Sequence, residues 1–243
     1  MDEIAVEFDA VVAGYGDAMV LDRLSLRAPR GKVTLLLGPN GAGKSTVLKT
    51  LFGLLAVREG RIRLHGRDIT GARPRQLLLD HGMAFVPQGR NLFGQLTVHE
   101  NLELGGITLG VGTARERIPD VLALFPRLRE RAHAPASTLS GGEQKQLEVG
   151  RALLLRPRVM LIDEPSIGLS PRVVADVFAL LRRLADQGTT VLIVEQNVKT
   201  ALKLADDAIA LESGRAVLHR NAATLLADPQ LERLFLGAAG GAS

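Results

Sequence analysis

A chain of 243 residues, 46% of them hydrophobic, has the material for a large α/β core and does not read as a disordered polymer. It contains no cysteine, which excludes a disulfide framework and thiolate metal sites and fits a reducing compartment. The formal charge is only +4, with cations interspersed among acids, and there are one Tyr, seven Phe and no Trp, so nucleic acid is not an expected partner.

The amino terminus, MDEIAVEFDA, carries neither the basic start nor the long apolar run of a signal peptide. No apolar stretch approaches the ~20 residues that cross a bilayer, so work at a membrane would need other chains to span it. Ile4, Val6 and Phe8 alternate with polar residues as in a half-buried strand, whereas residues 33–37 form a continuous apolar run, as in a covered parallel strand. Residues 60–69 alternate again, and residues 83–86 are another short apolar run. From Thr97 to about Leu155 the pattern turns helical, with capping-box spacing at Thr97/Glu100 and at Ser140/Glu143. Residues 159–162 return to a buried strand. Ser170-Pro171 opens a helix with a capping hydroxyl and a first-turn proline, and Val174, Val177, Phe178 and Leu181 fall on one face. Gly188 ends that helix and residues 190–194 are the next strand. A helix follows from Val198 to about Ala205, then a hairpin about Ser213-Gly214 and short helices to Leu236.

Strand–helix alternation broken by one helical block predicts an α/β fold with a mainly parallel, helix-covered sheet. The expected organisation is one domain over residues 1–236, a helical subdomain inserted at about 89–155, and a flexible tail, GAAGGAS, at 237–243.

The chemistry begins at GPNGAGKS, Gly38 to Ser45, which matches the phosphate-binding P-loop pattern at every required position. It lies between a buried strand and an amphipathic helix, as a P-loop must. Glycines let successive amide N–H groups turn in on a phosphate, and the helix N-terminus adds positive potential. Asn40, Gly41, Ala42, Gly43, Lys44, Ser45 and Thr46 are therefore expected to cradle a nucleoside triphosphate, with Lys44 reaching its outer phosphates and Ser45 a ligand of Mg²⁺. A bare glycine-rich turn is the other reading of such a stretch. A P-loop needs a carboxylate at the end of another buried strand, and RVMLIDEP supplies Asp163 for magnesium. Glu164 follows it, placed to polarise an attacking water as general base. An acidic pair after a strand is otherwise a common capping turn.

Ser140-Gly141-Gly142-Glu143 is a helix start with bare amides, able to hold an anion or simply capped. Set in TLSGGEQKQLEVGRALLLRP, it resembles the LSGGQ signature of the ATP-binding cassette (ABC) ATPases, with Glu143 in place of the usual Gln. P-loop, signature and strand-Asp-Glu occur in the family's order, and the resemblance covers essentially the whole chain. It implies the ABC ATPase fold: a P-loop core, an antiparallel β subdomain and an inserted helical subdomain. It also implies ATP and Mg²⁺ as cofactors, and two ATPs sandwiched in a dimer where Ser140, Gly141 and Gly142 of one subunit face the P-loop of the other. Gln88, in FVPQGRNLF, stands where the family's Q-loop glutamine reaches magnesium and the attacking water. Tyr15, the sole tyrosine, stands where an aromatic stacks on adenine.

Two departures narrow the resemblance. The position of the family's γ-phosphate histidine is taken by Gln196, and His65, His81, His99, His133 and His219 are all elsewhere. An amide donates and accepts hydrogen bonds but cannot become cationic. Ser170 stands where many relatives have Asp, which leaves the usual cross-dimer contact in doubt. VPQGRNLF, EPSIGLSP and VEQNVKTALKLAD together resemble the smaller ATPase subunit of branched-chain amino acid importers. That resemblance implies transmembrane permease subunits, an extracytoplasmic solute-binding protein, and a peripheral place on the cytoplasmic face of the inner membrane. A urea or short-amide importer and a soluble ABC ATPase are the alternatives, although the latter usually carries two cassettes or long coiled-coil arms.

Overall fold

The computed structural model describes residues 3–89 and 91–228. The tail at 237–243 and the helices expected toward Leu236 lie outside the described residues.

The strands fall into two sheets. The first is antiparallel, in the order β2-β1-β4-β5, from β1 (Ile4–Tyr15), β2 (Ala18–Pro29), β4 (Val57–Leu64) and β5 (Arg67–Asp68). The second contains β3 (Val33–Leu37), β6 (Met83–Val86), β7 (Val159–Asp163), β8 (Thr190–Val194), β9 (Asp207–Glu212) and β10 (Arg215–Asn221), in the order β10-β9-β3-β8-β7-β6. All its pairings are parallel except the β9–β10 hairpin.

The continuous apolar runs have a simple cause. Val33, Leu35 and Leu37 enter one core cluster, while Leu36 enters the other; Met160 and Ile162 likewise oppose Val159 and Leu161. Each central strand is thus covered on both faces and is apolar along most of its length, with Thr34 and Thr190 among the buried polar exceptions. One cover is α1 (Lys44–Leu51), whose Val47, Leu48 and Leu51 are buried with Leu161 and Leu192 and with Phe8 and Leu21 of the antiparallel sheet. The other includes α7 (Pro171–Asp186), which buries Val174, Val177, Phe178 and Leu181 on one stripe. Full burial of such side chains contributes about 1.5–3 kcal/mol each.

Between β6 and β7 the chain forms α3 (Val98–Gly105), α4 (Val111–Leu124), α5 (Pro126–Glu130) and α6 (Gly141–Leu153). Both capping boxes form, Thr97 with Glu100 and Ser140 with Glu143. The remaining helices are α2 (Pro74–Leu79), α8 (Val198–Leu202) and α9 (Ala222–Leu226).

Two local features depart from expectation, and a third interrupts two long strands. Ser170 occupies the N-cap position of α7 but its hydroxyl makes no capping bond; Pro171 at the first helical position already removes one unbonded N–H. The helix expected to reach about Ala205 stops at Leu202. The long strand β2 alternates from Leu24 to Ala28, but the period breaks just before, where Arg23 takes a left-handed φ of 47° between the buried Leu21 and Leu24. A bulge there puts two inward residues three apart instead of two. Ala10, at φ 50°, kinks β1 in the same way.

Candidate active site

The parallel strands bring three loops to one rim of the sheet. Leu36 of β3 pairs with Val194 of β8, and Val194 pairs with Asp163 of β7. The loops after β3, β7 and β8 therefore leave the sheet side by side.

The first loop is the P-loop. A Cβ on Gly38 would lie 2.2 Å from the Leu211 carbonyl oxygen, so only glycine permits this turn over β9. Lys44 is buried and folds back over its own loop, donating to the carbonyl oxygens of Gly38 at 2.8 Å and Pro39 at 2.9 Å. Burial holds its ammonium below the usual lysine range, against the pull of Glu164 and Asp163. Ser45 donates to Oδ1 of Asp163 at 2.9 Å. Burial raises the Asp163 carboxyl above its ordinary value, while the Ser45 hydroxyl and the lysines 44 and 49 oppose the rise. A hydroxyl and a carboxylate joined in this way are hard oxygen donors, suited to Mg²⁺ rather than to a soft metal.

Glu164 begins the second loop in a left-handed conformation, φ 50°, with its N–H donating to Val194 O at 2.9 Å. Both carboxylate oxygens are held: Gln88 Nε2 donates to Oε2 at 2.7 Å and Gln196 Nε2 to Oε1 at 2.9 Å. A non-glycine residue at such a φ stores strain of about 1–3 kcal/mol, a cost that neighbouring contacts must hold. Here Gln88 comes from the exit of β6 and Gln196 from the exit of β8.

Tyr15 closes the β1–β2 hairpin, is 45% exposed, and lies beside α1: Lys49 Nζ is 5.6 Å from the ring centroid and donates to the phenolic oxygen at 3.3 Å. The partly exposed ring thus lies next to the helix that carries the P-loop.

Ser140, Gly141 and Gly142 make no hydrogen bond to this cluster among the described residues, although Gly141 lines one cleft with Glu164. Their helix packs on α3, α5, β6 and α7, whereas α1 packs on β7, β8 and the antiparallel sheet. Glu143 accepts from the Ser140 N–H at 2.8 Å and hydroxyl at 2.9 Å. Despite burial, those bonds and the Arg131 guanidinium hold its carboxyl below the usual range. Gly142 faces α7 so closely that a Cβ would sit 2.6 Å from a methyl of Val173.

Two further carboxylates were not singled out from the sequence. Glu195 is 1% exposed and accepts from Ser166 N at 2.8 Å and Ser166 Oγ at 2.6 Å. Its signal was available: VLIVE repeats the texture of VMLID, a buried strand closed by an acid. Glu148 pairs with Lys145 at 2.5 Å and accepts from the Asn91 N–H at 2.8 Å, tying α6 to the segment after Gln88. The i,i+3 spacing of Lys145 and Glu148 on a helix is a local signal, but nothing local in the sequence announces the contact with Asn91.

Known proteins resemble both the chain and its shape. The profile of the family described as ABC transporter matches residues 21–167. The high-affinity branched-chain amino acid transport ATP-binding protein BraG of Pseudomonas aeruginosa is 43% identical over 232 residues, covering 96% of this chain and 99% of the relative. A probable branched-chain amino acid transport ATP-binding protein, LivF, of Archaeoglobus fulgidus is 38% identical over 226 residues, 93% of this chain and 95% of its own. The crystal structure of a nucleotide-free ATP-binding cassette from an ABC transporter superposes with a TM-score of 0.85 at 28% identity, covering 93% of this chain and 96% of that one. The ADP conformation of an ATP-binding cassette does so with the same score and identity over 96% and 99%. With a P-loop, an acidic strand end and a signature helix on one such framework, the chain belongs to the ABC transporter family as an ATP-binding subunit, an ATPase.

Proposed function

We propose that this subunit powers an importer of branched-chain or other hydrophobic amino acids, hydrolysing ATP between itself and a second ATPase subunit, identical or related. The observation that carries the hydrolytic part is the meeting of Lys44, Ser45, Asp163 and Glu164 at one sheet rim, with both oxygens of Glu164 held by amides. The transported class rests on the likeness to two transport ATP-binding proteins over nearly their whole length.

In this reading the amides of the P-loop, Asn40 to Thr46, and the Lys44 ammonium bind the phosphates, and Tyr15 stacks on adenine. Ser45 and Asp163 hold Mg²⁺, with Gln88 reaching it when turned from Glu164. When bound, the metal neutralises charge on the outer phosphates. Glu164 takes a proton from water as its oxygen attacks the terminal phosphorus, and the bond from that phosphorus to the bridging oxygen breaks to leave ADP. Gln196 orients Glu164 and donates to the terminal phosphate. Ser140, Gly141 and Gly142 complete the site of the facing subunit with preorganised donors. The helical segment at about 89–155 acts as a subdomain within one ATPase domain.

No helix among the described residues is long and apolar enough to cross a membrane, so the transport path belongs to separate permease subunits. A groove lined by Phe52, Phe85, Pro87, Arg151 and Leu155, with exposed Leu54 and Phe93, supports docking of such chains from the cytoplasmic side of the inner membrane. A solute-binding protein on the far side then selects the cargo.

The test is ATP binding and hydrolysis by the subunit assembled with its permeases. Lys44→Ala is expected to lose ATP binding at micromolar nucleotide while keeping its fold. Glu164→Gln is expected to bind ATP, turn it over poorly and accumulate an ATP-bound dimer. Normal ATP titration by Lys44→Ala overturns the reading. For the cargo, the cognate solute-binding protein should bind leucine; binding of urea or a short amide instead overturns the amino-acid assignment.

A further inference from the structure

Glu195 is a buried acid that the hydrolytic scheme leaves unused. Its carboxylate accepts hydrogen bonds that join two loops: from Ser166 N at 2.8 Å and Ser166 Oγ at 2.6 Å, from Gln196 N at 3.1 Å, and from the Asn197 N–H. Burial lifts this carboxyl above its ordinary value, while Ser166 and the backbone N–H groups of Asn197 and Gln196 oppose the lift. A buried acid that collects donors from two loops holds those loops together.

The connection closes a ring. Glu164 leads through Pro165 to Ser166, Ser166 bonds Glu195, Glu195 is followed by Gln196, and the Gln196 side chain returns to Glu164 at 2.9 Å. Ser166 also opens the loop whose Gly168 and Leu169 line a 300 Å³ cleft together with Glu164 and Gly141. The oxygen of Gly168 and the side chain of Leu169 come within 3.8 Å of the place a Cβ on Gly141 would take, so this loop rests against the first turn of α6.

We propose that Glu195 is a positioning residue that fastens the loop at 165–170 to the turn bearing Gln196, so that the reach of Gln196 to Glu164 depends on where that loop lies. The proposal rests on the ATPase reading above and adds a residue to it. Movement of the loop is transmitted through Ser166 and Glu195 to the amide on Glu164. No side chain in this path touches nucleotide except at its end.

The experiment measures kcat and KM for ATP, and the affinity for a fluorescent ADP analogue, in the full-length subunit assembled with its permeases. Glu195→Gln reverses one partner of the Ser166 and Gln196 bonds, and Ser166→Ala removes only the hydroxyl link, so at least one variant keeps the fold. Each is expected to lower kcat by about 10–100-fold, the scale on which small misplacements act. KM and ADP affinity should stay within about twofold of the parent, since substrate binding is not what the latch supports. Ser166→Thr, which keeps the hydroxyl, should restore kcat. The double variant should be no worse than the poorer single one, because both cut the same link. A kcat within about twofold of the parent in both single variants, or losses that multiply in the double variant, overturns the proposal. The two levels separate cleanly. Turnover in the parent that Lys44→Ala abolishes leaves the ATPase reading standing while a normal Glu195→Gln sinks the latch alone; a parent without turnover sinks both.

Discussion

The side-chain amide of Gln196 donates to Oε1 of Glu164 at 2.9 Å, opposite the oxygen held by Gln88. A neutral amide therefore touches the residue proposed as the base, where a histidine would bring a group that titrates. Because an amide does not ionise, the parent should show no inflection in turnover near pH 6.5, the value of an unperturbed imidazole. Gln196→His should keep activity and acquire that inflection. Its imidazolium would pair with Glu164 and weaken it as a proton acceptor, so turnover should fall as pH drops below roughly 6.5. Gln196→Ala should lower hydrolysis and leave ADP affinity alone. Equal turnover in Gln196→Ala and parent would make the residue structural.

Gly142 offers a test of packing at the signature helix. Its Cβ position is 2.6 Å and 2.9 Å from the two methyls of Val173, too close for any side chain. Gly142→Ala should cost about 1–3 kcal/mol of stability, the range for an overpacked contact. Denaturant titration of the single variant and of Gly142→Ala/Val173→Ala should show recovery in the second. Absence of recovery would place the strain elsewhere.

Tyr15 stands exposed with Lys49 against it, outside the buried core. If the ring stacks on adenine, Tyr15→Ala should weaken ATP binding by about 1–3 kcal/mol, the scale of base–aromatic stacking. Tyr15→Phe should recover most of that loss, because stacking needs the face and not the hydroxyl. Equal nucleotide affinity in all three proteins would end the assignment.

Glu195 also has a pH signature. Burial is the largest influence on its carboxyl and raises its pKa, so the folded chain holds this proton more tightly than the unfolded one. Protonation then adds stability that is present at low pH and lost as pH rises through the raised folded-state value. Relative to Glu195→Gln, the parent should gain stability as pH falls from the raised value toward the ordinary carboxylate one. Chemical denaturation of both proteins across that window measures it; a parent that loses stability relative to Glu195→Gln on acidification contradicts the burial argument.

Much of this was legible in the sequence. The P-loop glycines, the two capping boxes and the double-sided strands are local patterns, and each is where its residues say it is. Asp163 and Glu164 were readable because a strand end is an address, and two strands with known ends define a rim. The long strand β2 was not readable throughout, since the left-handed Arg23 interrupts the period ahead of the alternating Leu24, Leu26 and Ala28. Nor was the placement of Gln88 and Gln196 on the two oxygens of Glu164. Residues 88 and 196 follow strands that are not neighbours, and only the order of the sheet reveals that both exits flank β7.

The paired row Leu36, Val194, Asp163 also sets where the chain tolerates a change of length. The P-loop, the acidic turn and the Gln196 turn are all measured from it, along strands of five residues each. One inserted residue in any of these strands moves its loop by about 3.3 Å relative to the other two, more than a whole hydrogen bond can absorb. In the connection between α3 and α4, where the short turn Ile107–Leu109 lies on the surface, the same insertion leaves that row untouched. Insertions and deletions in a library of this gene should therefore survive near residues 106–110 and vanish from 33–37, 159–163 and 190–194.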